Sequence, residues 1–210
     1  MTAMPSLACV KYRMQTALTR AWFCRRRVRV GSGCIFSRRV RIVGGGIEIG
    51  SGVRVDEGCI LVGSRDGRPS VRIGDNVHLW RNVLLDSATG SITIGSDVSI
   101  GSYTEIYGHG GCDVGDDCQI AGHCYIIPAN HRFDDPTIPI RKQGTDHRGV
   151  SIGDDCWLGH GVSVLDGVTI GRGSVIGARA VVTSSLPAFS VAVGAPARVV
   201  SRRGERGAAA

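Results

Sequence analysis

The stretch IGDDCWLGHGVSVLDGVTIGRGSVIGARAVV, residues 152–182, carries an aliphatic side chain at every sixth position: Ile152, Leu158, Val164, Ile170, Ile176 and Val182. That period belongs neither to a free helix nor to an ordinary strand pair, so it points to a solenoid. Glycine follows directly at Gly153, Gly159, Gly171 and Gly177, and a small or β-branched residue comes fourth after the start, at Cys156, Val162, Val168, Ser174 and Ala180. A six-residue unit supplies one short extended side and one tight corner, with the aliphatic residue pointing inward and the glycine allowing the turn. Three such sides close a coil, so residues eighteen apart should stack: Ile152 on Ile170, Leu158 on Ile176, Val164 on Val182. One coil cannot bury its apolar side alone, and the repeat must recur to be stable.

It recurs upstream, less regularly, as Ile49, Val55, Leu61; Ile73, Leu79, Leu85; Ile94, Ile100, Ile106; and Val114, Ile120, Ile126. The breaks between blocks carry turn chemistry, as in Ser64-Arg65-Asp66-Gly67-Arg68-Pro69 and Gly108-His109-Gly110-Gly111. The chain divides into a helical, basic segment at 1–29, a solenoid at 30–186 with an extruded loop at 128–149, and a basic segment at 187–210. A length of 210 residues leaves no room for a second sizeable core.

Composition narrows the function. Of eight cysteines, Cys59, Cys112, Cys118, Cys124 and Cys156 fall in the small inward slot, where a free thiol acts as a small hydrophobe. With no Cys-x-x-Cys pair, zinc and disulfides are disfavoured and a reduced, cytoplasmic chain is favoured. No secretory signal and no apolar run long enough for a membrane span is present. Residues 6–23 have the spacing of an amphipathic helix, which either caps the open end of the solenoid or, with Arg25, Arg26 and Arg27, touches an anionic membrane surface peripherally. The net charge of +7 does not make a nucleic-acid binder, because the arginines gather at the two ends with no aromatic residues interleaved among them. The C-terminal arginines Arg198, Arg202, Arg203 and Arg206 suit a small polyphosphate ligand better.

The longest break in the period runs from Pro128 to Gly149, and a loop of that length in a compact domain usually has a task. His131 lies near its start, just beyond the rigid side ending at Ile127. A neutral imidazole there can take a proton from a hydroxyl.

Four signatures now stand in order: the hexad frame; Asn130-His131 followed by Asp135-Pro136 and Ile138-Pro139-Ile140; the Ile152-to-Gly159 hexad; and the closing Val193-Gly194-Ala195-Pro196-Ala197-Arg198-Val199-Val200. Together they resemble the hexapeptide-repeat acyltransferases, nearest the maltose and galactoside acetyltransferases and the polysaccharide O-acetyltransferases. The resemblance implies an all-β, left-handed parallel β-helix, an exception to the right-handed crossover rule. It also implies a homotrimer that binds acetyl-CoA between neighbouring prisms, needs no metal, and acylates a hydroxyl of a sugar or glycan. His131 matches the general base. Trp157 matches the tryptophan bordering the acceptor and pantetheine channel, or packs at a subunit seam. Ala178 and Thr183 match coenzyme-contacting positions that also serve as ordinary corners, and Arg198 matches the arginine that meets the coenzyme phosphates, or is part of a solvated tail. Asn130 and His109 fall on the acceptor side.

The chain also departs from the family. His160 stands where relatives carry a small residue near the coenzyme, so it is a candidate ligand contact, and Gly101 replaces an acceptor-binding asparagine. Acceptor specificity therefore does not transfer. A zinc-dependent carbonic anhydrase on the same prism needs a histidine pair five apart, and none occurs among His78, His109, His123, His131, His147 and His160. The further alternatives are an N-acetyltransferase acting on an amino sugar or drug, and a non-catalytic trimeric scaffold.

Overall fold

The computed structural model describes residues 28–205. These residues wind into a parallel β-helix with three flat faces, as the hexad period predicts. The first face stacks Val28–Val30, Ile47–Ile49, Val71–Ile73, Ile92–Ile94, Cys112–Val114, Val150–Ile152 and Thr169–Ile170. The second begins at Ile35–Phe36 and climbs through Arg54–Val55, His78–Leu79, Ser99–Ile100, Gln119–Ile120 and Trp157–Leu158 to Val175–Ile176. The third runs from Arg41–Val43 through Ile60–Val62, Leu84–Asp86, Glu105–Tyr107, Tyr125–Ile126 and Ser163–Val164 to Val181–Val182.

The predicted stacking is present in register. Ile152 pairs with Ile170, Leu158 with Ile176 and Val164 with Val182. The upstream blocks align in the same way, so that Val55, Leu79, Ile100, Ile120, Leu158 and Ile176 form one continuous column inside the second face. Each of them is buried. The wall does not stop where the hexads do. Ser190–Val193 adds a parallel strand to the second face, and Arg198–Arg202 closes that edge antiparallel to it.

The corners differ from the sequence expectation in one respect. The residue that takes the left-handed backbone conformation is the third after the aliphatic position, not the glycine directly after it: Asn76, Asp97, Asp117 and Asp155 have φ of 56°, 58°, 58° and 55°. Asn and Asp tolerate that region better than most side chains. The first glycine is needed for a different reason, close approach of the coils. A Cβ on Gly153 would lie 2.7 Å from the Arg172 nitrogen, and one on Gly159 would lie 2.7 Å from that of Ala178. The polar residue between them ties the coils together. The Ser96 amide donates to Asp116 Oδ1 at 2.7 Å, and the Asp116 amide donates to Asp154 Oδ1 at 3.0 Å.

The six described cysteines, Cys34, Cys59, Cys112, Cys118, Cys124 and Cys156, are buried. Burial pushes the thiols of Cys59 and Cys112 up, to about 11 and about 12. Since the thiolate is the reactive form, Cys59 and Cys112 should resist a thiol reagent at pH 8 in the native protein and react after unfolding. Peptide mapping of the labelled protein checks this, and rapid native labelling of Cys59 or Cys112 would contradict it.

Among the described residues, the helical content is a single 3-10 turn at Ile140–Lys142, and no helix is long and apolar enough to cross a membrane. The proposed amphipathic helix at 6–23, and with it the membrane contact, lies outside the described residues.

Candidate active site

The loop predicted at 128–149 leaves the third face after Tyr125–Ile126 and returns at the first face with Val150–Ile152, so its root sits on the edge between those two faces. Hydrogen bonds hold the root. The Gly110 amide donates to the Pro128 carbonyl at 3.1 Å, and the Arg148 and Gly149 amides donate to Asp166 Oδ1 at 2.7 and 3.0 Å. Beyond the root, Asn130–His131 pairs antiparallel with Thr145–Asp146, and Arg132 forms an ion pair with Asp146 at 2.7 Å. The tip has its own internal support. The Gln143 amide group donates to the carbonyls of Asp135 and Ile138, while the hydroxyl and backbone amide of Thr137 donate to the Asp135 carboxylate and hold its pKa below the usual value. His131 is therefore carried on an ordered two-stranded ribbon. Its imidazole is exposed and has no side-chain partner among the described residues.

His109 lies on the same edge, in the corner between Glu105–Tyr107 and Cys112–Val114. Its ring stands 5.4 Å from that of His147 and 6.0 Å from that of Tyr107. Burial first, and then the neighbouring Glu105 carboxylate, push the Tyr107 phenol up to about 12, so it stays protonated and donates to Glu105 at 3.3 Å. His147 was not singled out in the sequence. It lies thirty-eight residues from His109, and the extruded loop hides that proximity from any periodic reading. Thr183, just past Val181–Val182, also falls on this edge.

Trp157, His160, Ala178 and Arg198 form a second group. Side chains alternate along a strand, so in Trp157–Leu158 the leucine points into the core and the indole stands outside, 55% exposed. His160 and Ala178 occupy the corner between the second and third faces in successive coils, linked by the Arg179 amide donating to the His160 carbonyl at 2.8 Å. The His160 ring lies 5.0 Å from that of His123, which in turn stacks 5.1 Å from Tyr103. Arg198 pairs with Val193 at the end of the second face, leaving its guanidinium at the surface. Arg203 is engaged with Asp155 at 2.7 Å, which leaves Arg198 the better placed of the two to meet an anion.

The sequence candidates thus divide into two sets. Asn130, His131, His109 and Thr183 belong to the edge between the third and first faces, whereas Trp157, His160, Ala178 and Arg198 belong to the second face and its border with the third. In a three-sided coil that edge is opposite the second face, so one chain carries its loop root and Trp157 on opposite sides. Among the described residues, no group of three His, Cys, Asp or Glu side chains is arranged to hold a metal ion.

Trp80 was also missed. An open groove of about 310 Å³ on the second face is lined by Trp80, Ser99, Gly101, Ser102, Gln119 and Trp157, among others. Trp80 follows an inward leucine and Trp157 precedes one, so the two tryptophans occupy different places in the hexad and no common spacing links them.

Residues 149–184 match the family model described as bacterial transferase hexapeptide (six repeats). A "probable acetyltransferase" of Mycobacterium tuberculosis is 34% identical over 203 residues, which are 94% of this chain and 63% of that protein. The chain therefore spans less than two thirds of that relative's length. WbbJ of Escherichia coli, a "putative lipopolysaccharide biosynthesis O-acetyl transferase", is 31% identical over 141 residues, 63% of this chain and 72% of the relative. Among solved structures, AntD, an N-acyltransferase from Bacillus cereus in complex with dTDP and 3-hydroxybutyryl-CoA, superposes with a TM-score of 0.62 at 26% identity, covering 97% of this chain and 91% of that one.

Proposed function

The chain belongs to the hexapeptide-repeat acyltransferases, and on that premise we propose that it moves an acetyl group from acetyl-CoA to a hydroxyl of a sugar or polysaccharide precursor. The observation that carries the reading is the division of the candidate residues between an edge and the face opposite it. In a homotrimer packed edge to face, His131 of one copy would meet Trp157, Ala178 and Arg198 of the next, which makes a complete site from two incomplete ones. The second-face group fits the coenzyme: an exposed corner backbone at Ala178 and an exposed guanidinium at Arg198, which donates to the Ala197 carbonyl at 2.9 Å and is in no ion pair among the described residues, suit an extended thioester ending in phosphates.

When bound, acetyl-CoA supplies an activated acyl carbon. His131 accepts the proton of the acceptor hydroxyl as its oxygen attacks that carbon. Backbone amides stabilise the charge that builds on the carbonyl oxygen. The carbon–sulfur bond then breaks, the proton passes from His131 to the departing thiolate, and no acyl-enzyme forms. Likeness to WbbJ supports a hydroxyl acceptor on a glycan. Likeness to AntD supports a second reading, an amine acceptor on an amino sugar, served by the same base.

The test is release of free thiol from acetyl-CoA against a panel of neutral sugars, lipid-linked oligosaccharides and nucleotide-linked amino sugars. Release stimulated by a hydroxyl acceptor supports the first reading, and stimulation by amino sugars alone supports the second. No stimulation by any of them rejects both. Once an acceptor is in hand, Arg198→Ala should raise the KM for acetyl-CoA by roughly 10- to 150-fold, since a hydrogen bond to a charged group is worth about 1.5–3 kcal/mol. The KM for the acceptor should stay within about twofold, and equal rises in both would remove Arg198 from the phosphate-binding role.

A further inference from the structure

Cys118 and Cys156 are the one pair among the described cysteines that stacks in neighbouring coils. Gln119 pairs with Trp157, and the Gln119 amide donates to the Cys156 carbonyl at 2.9 Å, so the residue before each of them lies in register with the other. Neighbouring strands are ~4.8 Å apart, within the ~4.4–6.8 Å between Cα atoms that a disulfide spans. Both side chains occupy the small inward slot, with 0% and 1% of their surface exposed. The thiols also act on each other. The Cys118 S–H donates to Cys156, and that contact pushes the Cys118 thiol up and holds Cys156 below the ordinary thiol value. Cys156 is thus the readier thiolate, the form that attacks an oxidant.

The wall in front of the pair is thin. Cys118 Sγ lies 3.2 Å from the Gly153 carbonyl oxygen, and Cys156 Sγ lies 3.4 Å from that of Gly171. Both glycines are partly exposed and carry no side chain, so one strand of backbone separates the sulfurs from solvent. Outside it stand the exposed carboxylates of Asp116, Asp117, Asp154 and Asp155. Such a rim disfavours an anionic oxidant such as glutathione disulfide and leaves a small neutral peroxide free to approach. The position also gives the pair leverage. The loop that carries His131 leaves and returns between the two cysteines, and Trp157 follows Cys156 directly on the outer side of the second face.

We propose that Cys118 and Cys156 are a peroxide-sensitive pair that closes to a disulfide between two coils and slows acyl transfer by shifting Trp157. The Cys156 thiolate attacks one peroxide oxygen and displaces hydroxide, which leaves a sulfenic acid. Cys118 then attacks that sulfur, the S–S bond forms, and the sulfenic oxygen departs with the Cys118 proton as water. Two electrons pass from the sulfurs to one peroxide, which ends as two waters, and a free thiol reverses the bond. Closure brings the Cβ atoms to ~3.5–4.5 Å, nearer than the coil spacing, so the strand carrying Trp157 must move. In a reducing compartment the bond is transient, which suits a sensor and not a staple. Bond formation does not depend on the proposed acyl transfer, whereas its effect on turnover does.

The test uses the full chain with Cys9→Ser and Cys24→Ser, which removes the two cysteines outside the described residues. After treatment with hydrogen peroxide and its removal, the protein is alkylated under unfolding conditions and mapped without reduction. Peptides containing Cys118 and Cys156 should be joined, with Cys59 and Cys112 alkylated. In Cys118→Ala the same treatment should stop at a sulfenic acid on Cys156, trapped by dimedone, and this variant should fold because Ala180 fills the same kind of slot. Turnover of the oxidised protein should fall roughly tenfold, as a sub-ångström displacement beside a reacting site can cause. It should return with dithiothreitol and be insensitive to peroxide in Cys118→Ala. Absence of the joined peptide, or joining of either cysteine to a different one, would overturn the inference, and so would unchanged turnover after complete joining. A joined pair in a chain that releases no thiol from acetyl-CoA would instead uphold the disulfide and reject the acyl-transfer reading.

Discussion

His131→Ala is expected to lower kcat by about 10²–10⁴-fold, the usual contribution of a positioned general base. The fold should survive, because His131 projects from the exposed ribbon at Asn130–His131 and contributes nothing to the core. The ribbon itself is held by the Arg132–Asp146 ion pair and the Gln143 contacts, none of which uses the imidazole. Circular dichroism and the melting temperature should therefore be unchanged, and the KM for acetyl-CoA should move little. His131→Gln, which keeps a polar group of similar reach but cannot serve as a base at neutral pH, should be as inactive as the alanine variant. A turnover rate within a few-fold of the unsubstituted enzyme would remove His131 from the chemistry and turn attention to His109 and His147 on the same edge.

Leu158→Ala should have the largest effect on stability. Leu158 has no exposed surface and sits between Ile120 and Ile176 in the column inside the second face. Removing its side chain leaves a cavity in a stack whose strands are tied to fixed neighbours above and below, so collapse around the gap is restricted. The expected cost is about 2–5 kcal/mol. At roughly 2–4 °C per kcal/mol for a chain of this size, the melting temperature should fall by roughly 5–20 °C. The adjacent Trp157→Ala removes a larger side chain from the outer side of the same strand and should change the melting temperature far less. Equal losses at Leu158 and Trp157 would contradict the inward and outward assignment of the strand.

The inner surface was legible from the sequence because one residue in six must be aliphatic for the coil to close on a core, and the columns through Leu79, Ile100 and Leu158 align as the spacing requires. The same spacing misassigned the work at the corners. A glycine that permits close approach and a residue that adopts positive φ are hard to separate when both lie at bends, and only backbone geometry divides Gly153 from Asp155. His131 could be found because a long interruption marks itself against a strict period. The pairing of His109 with His147 and the groove between Trp80 and Trp157 could not, because coil length varies with each inserted loop. The distance along the chain then says nothing about which outer residues share a face. Burial fixes the inner residues, whereas the outer ones are free to differ in identity and hexad position.

The opposed placement of His131 and Trp157 leads to the most direct test, subunit complementation. His131→Ala and Trp157→Asp are each expected to be inactive as pure proteins. When the two are co-unfolded in equal amounts and refolded together, each mixed trimer would hold one interface with both native residues and one with neither. Activity should then return to about a quarter of the unsubstituted level, as random mixing of a cyclic trimer requires. Recovery near that level would establish that the edge of one copy works on the face of the next. No recovery from mixtures shown by mass spectrometry to contain mixed trimers would contradict a site shared between copies.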